Sequence, residues 1–137
     1  MPRLFDLTIV APDRAVLEGR AESLVAPGVE GYFGVLFGHA PMIVQLRPGE
    51  LKLMDDQGRT RYLAISGGFL EVSPLGQVAV VADAAEAAEE IDVARAQAAA
   101  ARARERMASR NAGLDVARAQ AALQRALIRL RVAGRTG

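Results

Sequence analysis

All six prolines of this 137-residue chain lie before position 84, and positions 84–137 contain none. Positions 84–137 are instead rich in alanine, which has the highest helix propensity of any residue. Positions 1–83 hold all six aromatic side chains and ten of the 13 glycines. The chain is therefore predicted to have a β-type region followed by a helical region, with the boundary near residues 83–90.

Short apolar, β-rich stretches alternate with turn residues through the first region. Interruptions rich in glycine, proline or aspartate occur at residues 11–13, 27–28, 47–49, 55–58, 67–68 and 73–76. This spacing predicts eight to ten short strands, as expected of an antiparallel β-sandwich or barrel.

The residues needed for most catalytic sites are scarce. The chain has no cysteine, one histidine (His39) and one lysine (Lys52), which follows no glycine-rich loop. A Cys- or His-rich metal site and a P-loop are therefore not expected. The net charge of +1 does not favour nucleic-acid binding, and no apolar run approaches the length of a membrane-spanning helix. We expect a non-catalytic protein that is soluble or peripheral to a membrane.

The helical region contains the same eight residues twice, Asp-Val-Ala-Arg-Ala-Gln-Ala-Ala, at positions 92–99 and 115–122. Each copy opens with aspartate, a preferred N-cap, and Asn111-Ala112-Gly113 between them predicts a chain reversal. Two apolar seams with helical spacing follow: Val93, Ala96, Ala100, Ala103 and Met107, then Val116, Ala119, Leu123, Ala126 and Leu130. They predict two antiparallel helices, held weakly because alanine buries little apolar area.

Six of the ten arginines in this region are predicted to share one face of the helix pair, namely Arg95, Arg102, Arg106, Arg118, Arg125 and Arg129. Counting back from the turn places Arg95 near Arg129 and Arg102 near Arg125. Such a face suits a phosphate, a carboxylate or an acidic partner. A purely solvated surface in an arginine-rich protein is the alternative, and the residues alone leave both open.

Several longer stretches carry a resemblance to a known family. They are Gly-Val-Leu-Phe-Gly-His-Ala-Pro at 34–41, Arg-Pro-Gly at 47–49, Ile-Ser-Gly-Gly-Phe-Leu-Glu-Val at 65–72, residues 78–83, and Ile-Asp-Val-Ala-Arg-Ala at 91–96. In this order they resemble the ε subunit of bacterial F-type ATP synthases, whose mitochondrial homologue is called δ. The likeness extends over essentially the whole chain.

The resemblance implies a ten-stranded antiparallel β-sandwich over residues 1–83, a hinge at 84–90 and a two-helix hairpin over 91–137. It further implies a non-catalytic rotor subunit of the central stalk, at the cytoplasmic face of the bacterial membrane. The sandwich would contact the γ subunit and the c-ring and help to couple proton flow to ATP synthesis. The hairpin would inhibit ATP hydrolysis when it extends toward the catalytic α/β head. The isolated chain is expected to be a monomer that requires no cofactor.

In several bacterial members of that family ATP binds the folded hairpin as a regulatory ligand. Carried over to this sequence, the nucleotide site comprises Glu86, Ile91, Asp92, Arg95, Ala96, Arg102, Arg125 and Arg129. Arginine side chains would hold the phosphates. Tyr32 and His39 are expected at the partner interface.

The sequence departs from the family pattern at two positions. Phe37 replaces the proline usual before Gly38, and Tyr32 stands where many members carry glutamate. Two other functions remain as alternatives, a stand-alone nucleotide-sensing module and a coiled-coil adaptor for an acidic partner. The β-type segments at residues 38–41 and 67–69 argue against a simple adaptor, which would not need them.

Overall fold

A computed structural model describes residues 2–109 and 115–136, and the chain divides into two compact units at Ala87/Ala88. The first unit consists of β-strands, and the second contains two α-helices with a 3-10 turn at each end. The strands are β1 (Phe5–Ala11), β2 (Arg14–Gly28), β3 (Gly31–Leu36), β4 (Met42–Asp55), β5 (Thr60–Val72), β6 (Val78–Ala82) and β7 (Ala85–Ala87). The helices are α1 (Val93–Ala108) and α2 (Val116–Ala133), and the 3-10 turns are Ala88–Glu90 and Gly134–Thr136.

Five of the strands form a closed barrel in the order β1-β6-β5-β4-β2, because β1 pairs with both β6 and β2. The β1–β6 pairing is parallel, whereas the other pairings are antiparallel. Two further strands lie outside the ring, β3 on β2 and β7 on β5. The predicted ten-stranded sandwich is therefore wrong, and the described part of the region is a five-stranded barrel with two added strands.

The prediction failed because residues that usually end strands lie inside long strands here. β4 runs for 14 residues through Pro48-Gly49, and β5 runs for 13 residues through Gly67-Gly68. At Gly68 φ is +123°, and a Cβ atom would overlap the Val81 carbonyl oxygen. Only glycine allows β5 and β6 to approach this closely, so these residues bend a continuous strand instead of ending it.

Alternate positions of the barrel strands face a core of leucine, isoleucine and valine side chains. The largest fully buried members include Leu7, Ile9, Leu24, Leu51, Leu53, Leu63 and Leu70. Within residues 2–109 and 115–136 no charged or polar residue is fully buried. Inward alternation of this kind is the pattern expected of a barrel wall.

The predicted hairpin turn at residues 55–58 is confirmed. Asp55 ends β4, and its Oδ1 accepts hydrogen bonds from the backbone N–H groups of Gln57 and Arg59, both at 2.9 Å. These bonds hold the pKa of the Asp55 carboxyl below its usual value, and the bond from Arg59 has the larger effect. Gly58 completes the turn at φ +76°.

The two helices pack against each other in antiparallel order. The 3-10 turn before α1 contacts both α2 and the 3-10 turn after it, so the start of α1 adjoins the end of α2. Ala96, Ala100 and Ala103 of α1 are buried, as are Ala119 and Ala126 of α2. The alanine seams are thus confirmed, whereas the predicted chain reversal at 111–113 lies outside the described residues.

The ends of the predicted seams differ from expectation. Val93 and Val116, the first residue of each seam, are 44% and 50% exposed. At the other end of α2 the buried set extends to Ile128 and Val132. The first three residues of each helix are therefore exposed, and the packed region begins at Ala96 and Ala119.

Candidate functional site

The repeated Asp-Val-Ala-Arg sequence acts as a helix start in both copies. Asp92 has extended backbone angles, and its Oδ1 accepts a hydrogen bond from the Arg95 backbone N–H at 3.0 Å. Asp115 does the same with the Arg118 backbone N–H, also at 3.0 Å. Each carboxylate satisfies a backbone donor that an α-helix leaves unpaired. One oxygen of Asp92 is therefore engaged in capping α1.

The arginine side chains project from corresponding sides of the two helices. Arg95 and Arg102 each precede a buried seam alanine by one residue, and Arg118 and Arg125 do so on α2. A step of one residue rotates by about 100° around a helix axis. Because the helices are antiparallel, equal rotations from the two facing seams lead to the same face of the pair.

The predicted nucleotide-binding residues fall in both units. Seven of the eight lie in the helical unit, with Arg95 and Arg129 at the same end of the helix pair because the start of α1 adjoins the end of α2. Arg95, Arg102, Arg125 and Asp92 are exposed, Arg129 is half-buried with a buried Nε, and Ile91 and Ala96 are buried. Glu86 lies in the first unit, on β7, where it pairs with Ala64 of β5.

This distribution limits what each residue can contribute. The exposed guanidinium groups can form bidentate contacts with phosphate oxygens. The buried side chains of Ile91 (8% exposed) and Ala96 (0%) leave only their backbone atoms for a ligand. The exposed arginines of this face offer an anion several donors but no nucleophile.

A cleft of about 550 Å³ separates β3 from the first half of β4 in the barrel unit. Tyr32, at its edge, is half-exposed and lies under the Arg47 guanidinium, 5.2 Å from the ring centroid. Its hydroxyl accepts a hydrogen bond of 3.3 Å from the Glu50 backbone N–H, and the Arg47 Nε donates to the Gly28 carbonyl at 3.1 Å. Tyr32 thus braces β3 against β4 and exposes half of its surface.

His39 lies in the connection between β3 and β4. Its Nδ1 is 2.7 Å from the Ala40 carbonyl oxygen, which suits the tautomer that carries a proton on Nδ1. The side chain lines the first cleft and also a second one, of about 520 Å³, at the end of the barrel. Both predicted interface residues are therefore accessible.

The Arg3 and Arg47 contacts were not predicted from the sequence. Arg3 lies over the Phe37 ring at 4.6 Å from its centroid, and Arg47 lies over Tyr32. The partners of each pair belong to separate segments of the chain, and no local pattern relates them. Only the strand pairing brings them together, and it does so at the two positions where the sequence departs from the family pattern.

Other kinds of site find no support in the described part of the chain. Residues 2–109 and 115–136 contain no group of three or more His, Cys, Asp or Glu side chains that could hold a metal ion. Among the same residues, neither helix is long and apolar enough to cross a membrane.

Comparisons with known proteins match both units. Residues 4–88 match the family model for the β-sandwich domain of the ATP synthase Delta/Epsilon chain, and residues 89–134 match the model for its long α-helix domain. The chain is 53% identical to the ATP synthase epsilon chain of Pelotomaculum thermopropionicum, over 94% of this chain and 95% of that protein. It is 49% identical to that of Moorella thermoacetica, over 94% and 96%.

A solved structure supports the same relationship. A chain in the cryo-EM structure of the Euglena gracilis mitochondrial ATP synthase (OSCP/F1/c-ring in rotational state 1) superposes with a TM-score of 0.77 at 30% identity. The match covers 90% of this chain and 78% of that one. The resemblance found in the sequence is thereby confirmed, and the chain belongs to the ATP synthase delta/epsilon chain family.

Proposed function

We propose that the chain is a non-catalytic rotor subunit in the central stalk of an F-type ATP synthase, where it helps to couple proton translocation to ATP synthesis. The observation that carries the proposal is the match of both units, in order, to the two domains of one family. Neither a nucleotide-sensing module nor an adaptor accounts for this combination of barrel and helix pair. The chain acts at the membrane as a peripheral subunit, on the cytoplasmic face in a bacterium.

The barrel unit is the part that we propose docks on the rotor, against the γ subunit and the c-ring. The Euglena assembly contains both F1 and the c-ring. On the barrel, Tyr32, Phe37 and His39 combine half-exposed or exposed rings with two adjoining clefts. Exposed apolar side chains beside clefts are typical of protein interfaces.

The helix pair is the part that we propose regulates the enzyme. Its seam consists largely of alanine, so separating the helices exposes little apolar area. The helix pair can therefore leave its folded form at modest cost and extend toward the α/β head, where it inhibits hydrolysis. The hinge predicted within residues 84–90 is proposed to lie at the boundary between the units, which follows β7.

We propose the arginine face as a regulatory ATP site that stabilises the folded helix pair. Arg95, Arg102, Arg125 and Arg129 offer donors for the phosphates, and α1 and α2 contribute them jointly. A ligand that requires both helices in contact binds only the folded form and shifts the population toward it. ATP thereby releases the inhibition instead of serving as a substrate.

The test is to compare complete ATP synthase complexes that contain either the full chain or the chain truncated after residue 90. We expect both complexes to assemble with equal subunit content, and the truncated one to hydrolyse ATP faster at low ATP concentration. Equal hydrolysis rates would contradict the latch and leave the rotor function intact. Failure of the full chain to assemble with the γ subunit would contradict the rotor function itself.

A further inference from the structure

The strand β3 forms an uncharged edge of the barrel unit. Within the described residues it pairs with β2 alone, and its six residues, Gly-Tyr-Phe-Gly-Val-Leu, contain neither charge nor proline. Natural edge strands are usually protected by lysine, by proline or by being very short. The other added strand, β7, follows this rule with three residues and a glutamate, Glu86. β3 does not follow it.

The pairing of β3 determines which of its backbone groups point outward. The Val29 N–H bonds to the Gln45 carbonyl next to the Gly28–Leu46 pair, so the backbone groups of Gly28 point away from β4 and toward Gly31 of β3. Bonded and non-bonded pairs alternate along an antiparallel ladder. The next position, Pro27 opposite Tyr32, is then a non-bonded pair, which suits a proline because it has no N–H. The backbone groups of Tyr32 and Gly34 therefore point to the open edge.

A second strand edge faces the same cleft from the other side. The Gln45 carbonyl accepts a hydrogen bond of 3.0 Å from the Val29 N–H, so its backbone groups point away from β5. By the same alternation, the backbone N–H and C=O of Ile43 also point away from β5. Tyr32, Gly34, Ile43 and Gln45 all line the cleft of about 550 Å³. The cleft thus lies between two rows of backbone donors and acceptors.

Gly34, in the middle of β3, is not required by the barrel. Its φ is not positive, and a Cβ atom there would contact only the Leu24 carbonyl oxygen, at 3.8 Å. A strand glycine that the fold does not need marks a place where another backbone approaches closely. It leaves a gap between the exposed side chains of Tyr32 and Leu36 on the outer face of β3.

We propose that β3 accepts an extended segment of a neighbouring central-stalk subunit, which adds to the sheet as a further strand. The donor segment is uncharged, because β3 carries no charge and Tyr32, Leu36 and Ile43 present apolar surface (50%, 64% and 71% exposed). The cleft is enclosed by strands of this chain on two sides, which favours one inserted segment over the edge of a second folded copy. This inference rests on the proposed rotor function and specifies how the barrel docks.

The direct test is amide hydrogen exchange of the isotopically labelled full chain, free and bound to purified γ subunit. We expect the amides of Tyr32 and Gly34 to exchange at least a hundredfold more slowly in the complex. Those of Phe33 and Val35 already bond to β2 and should be slow in both states. Unchanged exchange at Tyr32 and Gly34 in a formed complex would overturn the inference while leaving the rotor function in place.

A pair of variants at one position tests the same contact by affinity. Gly34→Pro removes the outward N–H without removing a hydrogen bond of the barrel, and edge strands tolerate proline at such positions. We expect it to weaken γ binding at least tenfold, whereas Gly34→Ala, which keeps the N–H, stays within twofold of the unmodified chain. Thermal unfolding of both variants is the control, and we expect each to retain the barrel transition of the unmodified chain.

Three other outcomes would contradict either the added strand or the rotor function. Equal γ affinity of Gly34→Pro and Gly34→Ala would overturn the inference. A free chain that dimerises, with Tyr32 and Gly34 already protected, would identify a second copy as the occupant and overturn it as well. A full chain that binds no γ subunit at all would contradict the proposed rotor function together with this extension of it.

Discussion

The barrel and the helix pair bury their apolar surface with different side chains. The barrel core contains seven leucine and isoleucine side chains that are 0–1% exposed, such as Leu51 and Leu70. The helix seam relies mainly on Ala96, Ala100, Ala103, Ala119 and Ala126, with Ile128 and Val132 buried at one end of α2. Burying a leucine side chain stabilises a fold by about 1.5–3 kcal/mol, and a single methyl group by less than about 1 kcal/mol. A barrel built this way is a fixed platform, and the helix pair beside it in sequence is suited to rearrangement.

The strongest test of the contrast is Gly68→Ala in the barrel. The new Cβ atom would clash with the Val81 carbonyl, and the residue would keep a positive φ. We expect a loss of about 2–5 kcal/mol of barrel stability from overpacking and backbone strain. Urea unfolding followed by tyrosine fluorescence measures it, since Tyr32 and Tyr62 both lie in the barrel.

Gly19→Ala is the matched control, because a Cβ atom there meets nothing within 4 Å. Its effect should stay within about 0.5 kcal/mol. Circular dichroism in the far ultraviolet follows the helices in the same samples. If the helical signal shifts together with the tyrosine signal in Gly68→Ala, the two units unfold as one. That result would contradict a helix pair that rearranges independently of the barrel.

A second prediction concerns the arginine face of the helix pair. ATP should bind the isolated chain, and Arg95→Ala or Arg129→Ala should weaken binding at least tenfold. The reason is the loss of a charge-assisted contact worth about 1.5–3 kcal/mol. Isothermal titration calorimetry measures the affinity.

Arg104→Ala provides the control for charge. Arg104 is also exposed on α1 but follows the buried Ala103 instead of preceding it, so it projects from the opposite side of the seam. It should leave ATP affinity within about twofold if the face, and not total charge, binds the nucleotide. Equal losses in Arg95→Ala and Arg104→Ala would favour nonspecific attraction, and the absence of heat at millimolar ATP would exclude the site.

The smallest predicted effect is at the β4–β5 turn. The pKa of Asp55 is lower in the folded chain than in the unfolded one, so its carboxylate stabilises the fold above the ordinary carboxyl pKa of about 4. That stabilisation is lost as pH falls through the lower, folded-state value. Asp55→Ala should therefore reduce the urea midpoint of the tyrosine transition at pH 7 and reduce it less at pH 3.

Asp56→Ala controls for the loss of one carboxylate at the same turn. The two bonds that the turn makes to a side chain, from the backbone N–H groups of Gln57 and Arg59, go to the Asp55 carboxylate. A pH-dependent shift of equal size in both variants would assign the effect to net charge instead of turn closure.

The helical unit was largely predictable because its determinants are local. Asp92 and Asp115 each accept a hydrogen bond from the backbone N–H group three residues later in the chain. The buried alanines of the seam likewise recur at intervals of only a few residues. Such short spacings are visible in a sequence. The shared arginine face follows from them once the helices are antiparallel.

The barrel was predictable as a β region but not as a closed ring. Its closure depends on the parallel pairing of Leu7 with Val78 and its neighbours, which joins the first strand of the chain to the sixth. Pro48-Gly49 and Gly67-Gly68 have the composition of turns, and only neighbouring strands decide that they bend a continuous strand instead. The count of strands was wrong for this reason.

The sequence by itself determined the order of a β region and a helical region, the helix starts, the alanine seam and the family. These features follow from residue propensities and from contacts between residues that are close in the sequence. Only the tertiary structure decided the barrel closure, the Arg47–Tyr32 brace, and the open edge of β3 opposite Ile43 across the cleft. These features depend on the register between strands that are distant in the sequence. The packing of the whole barrel sets this register, and no single stretch of sequence does.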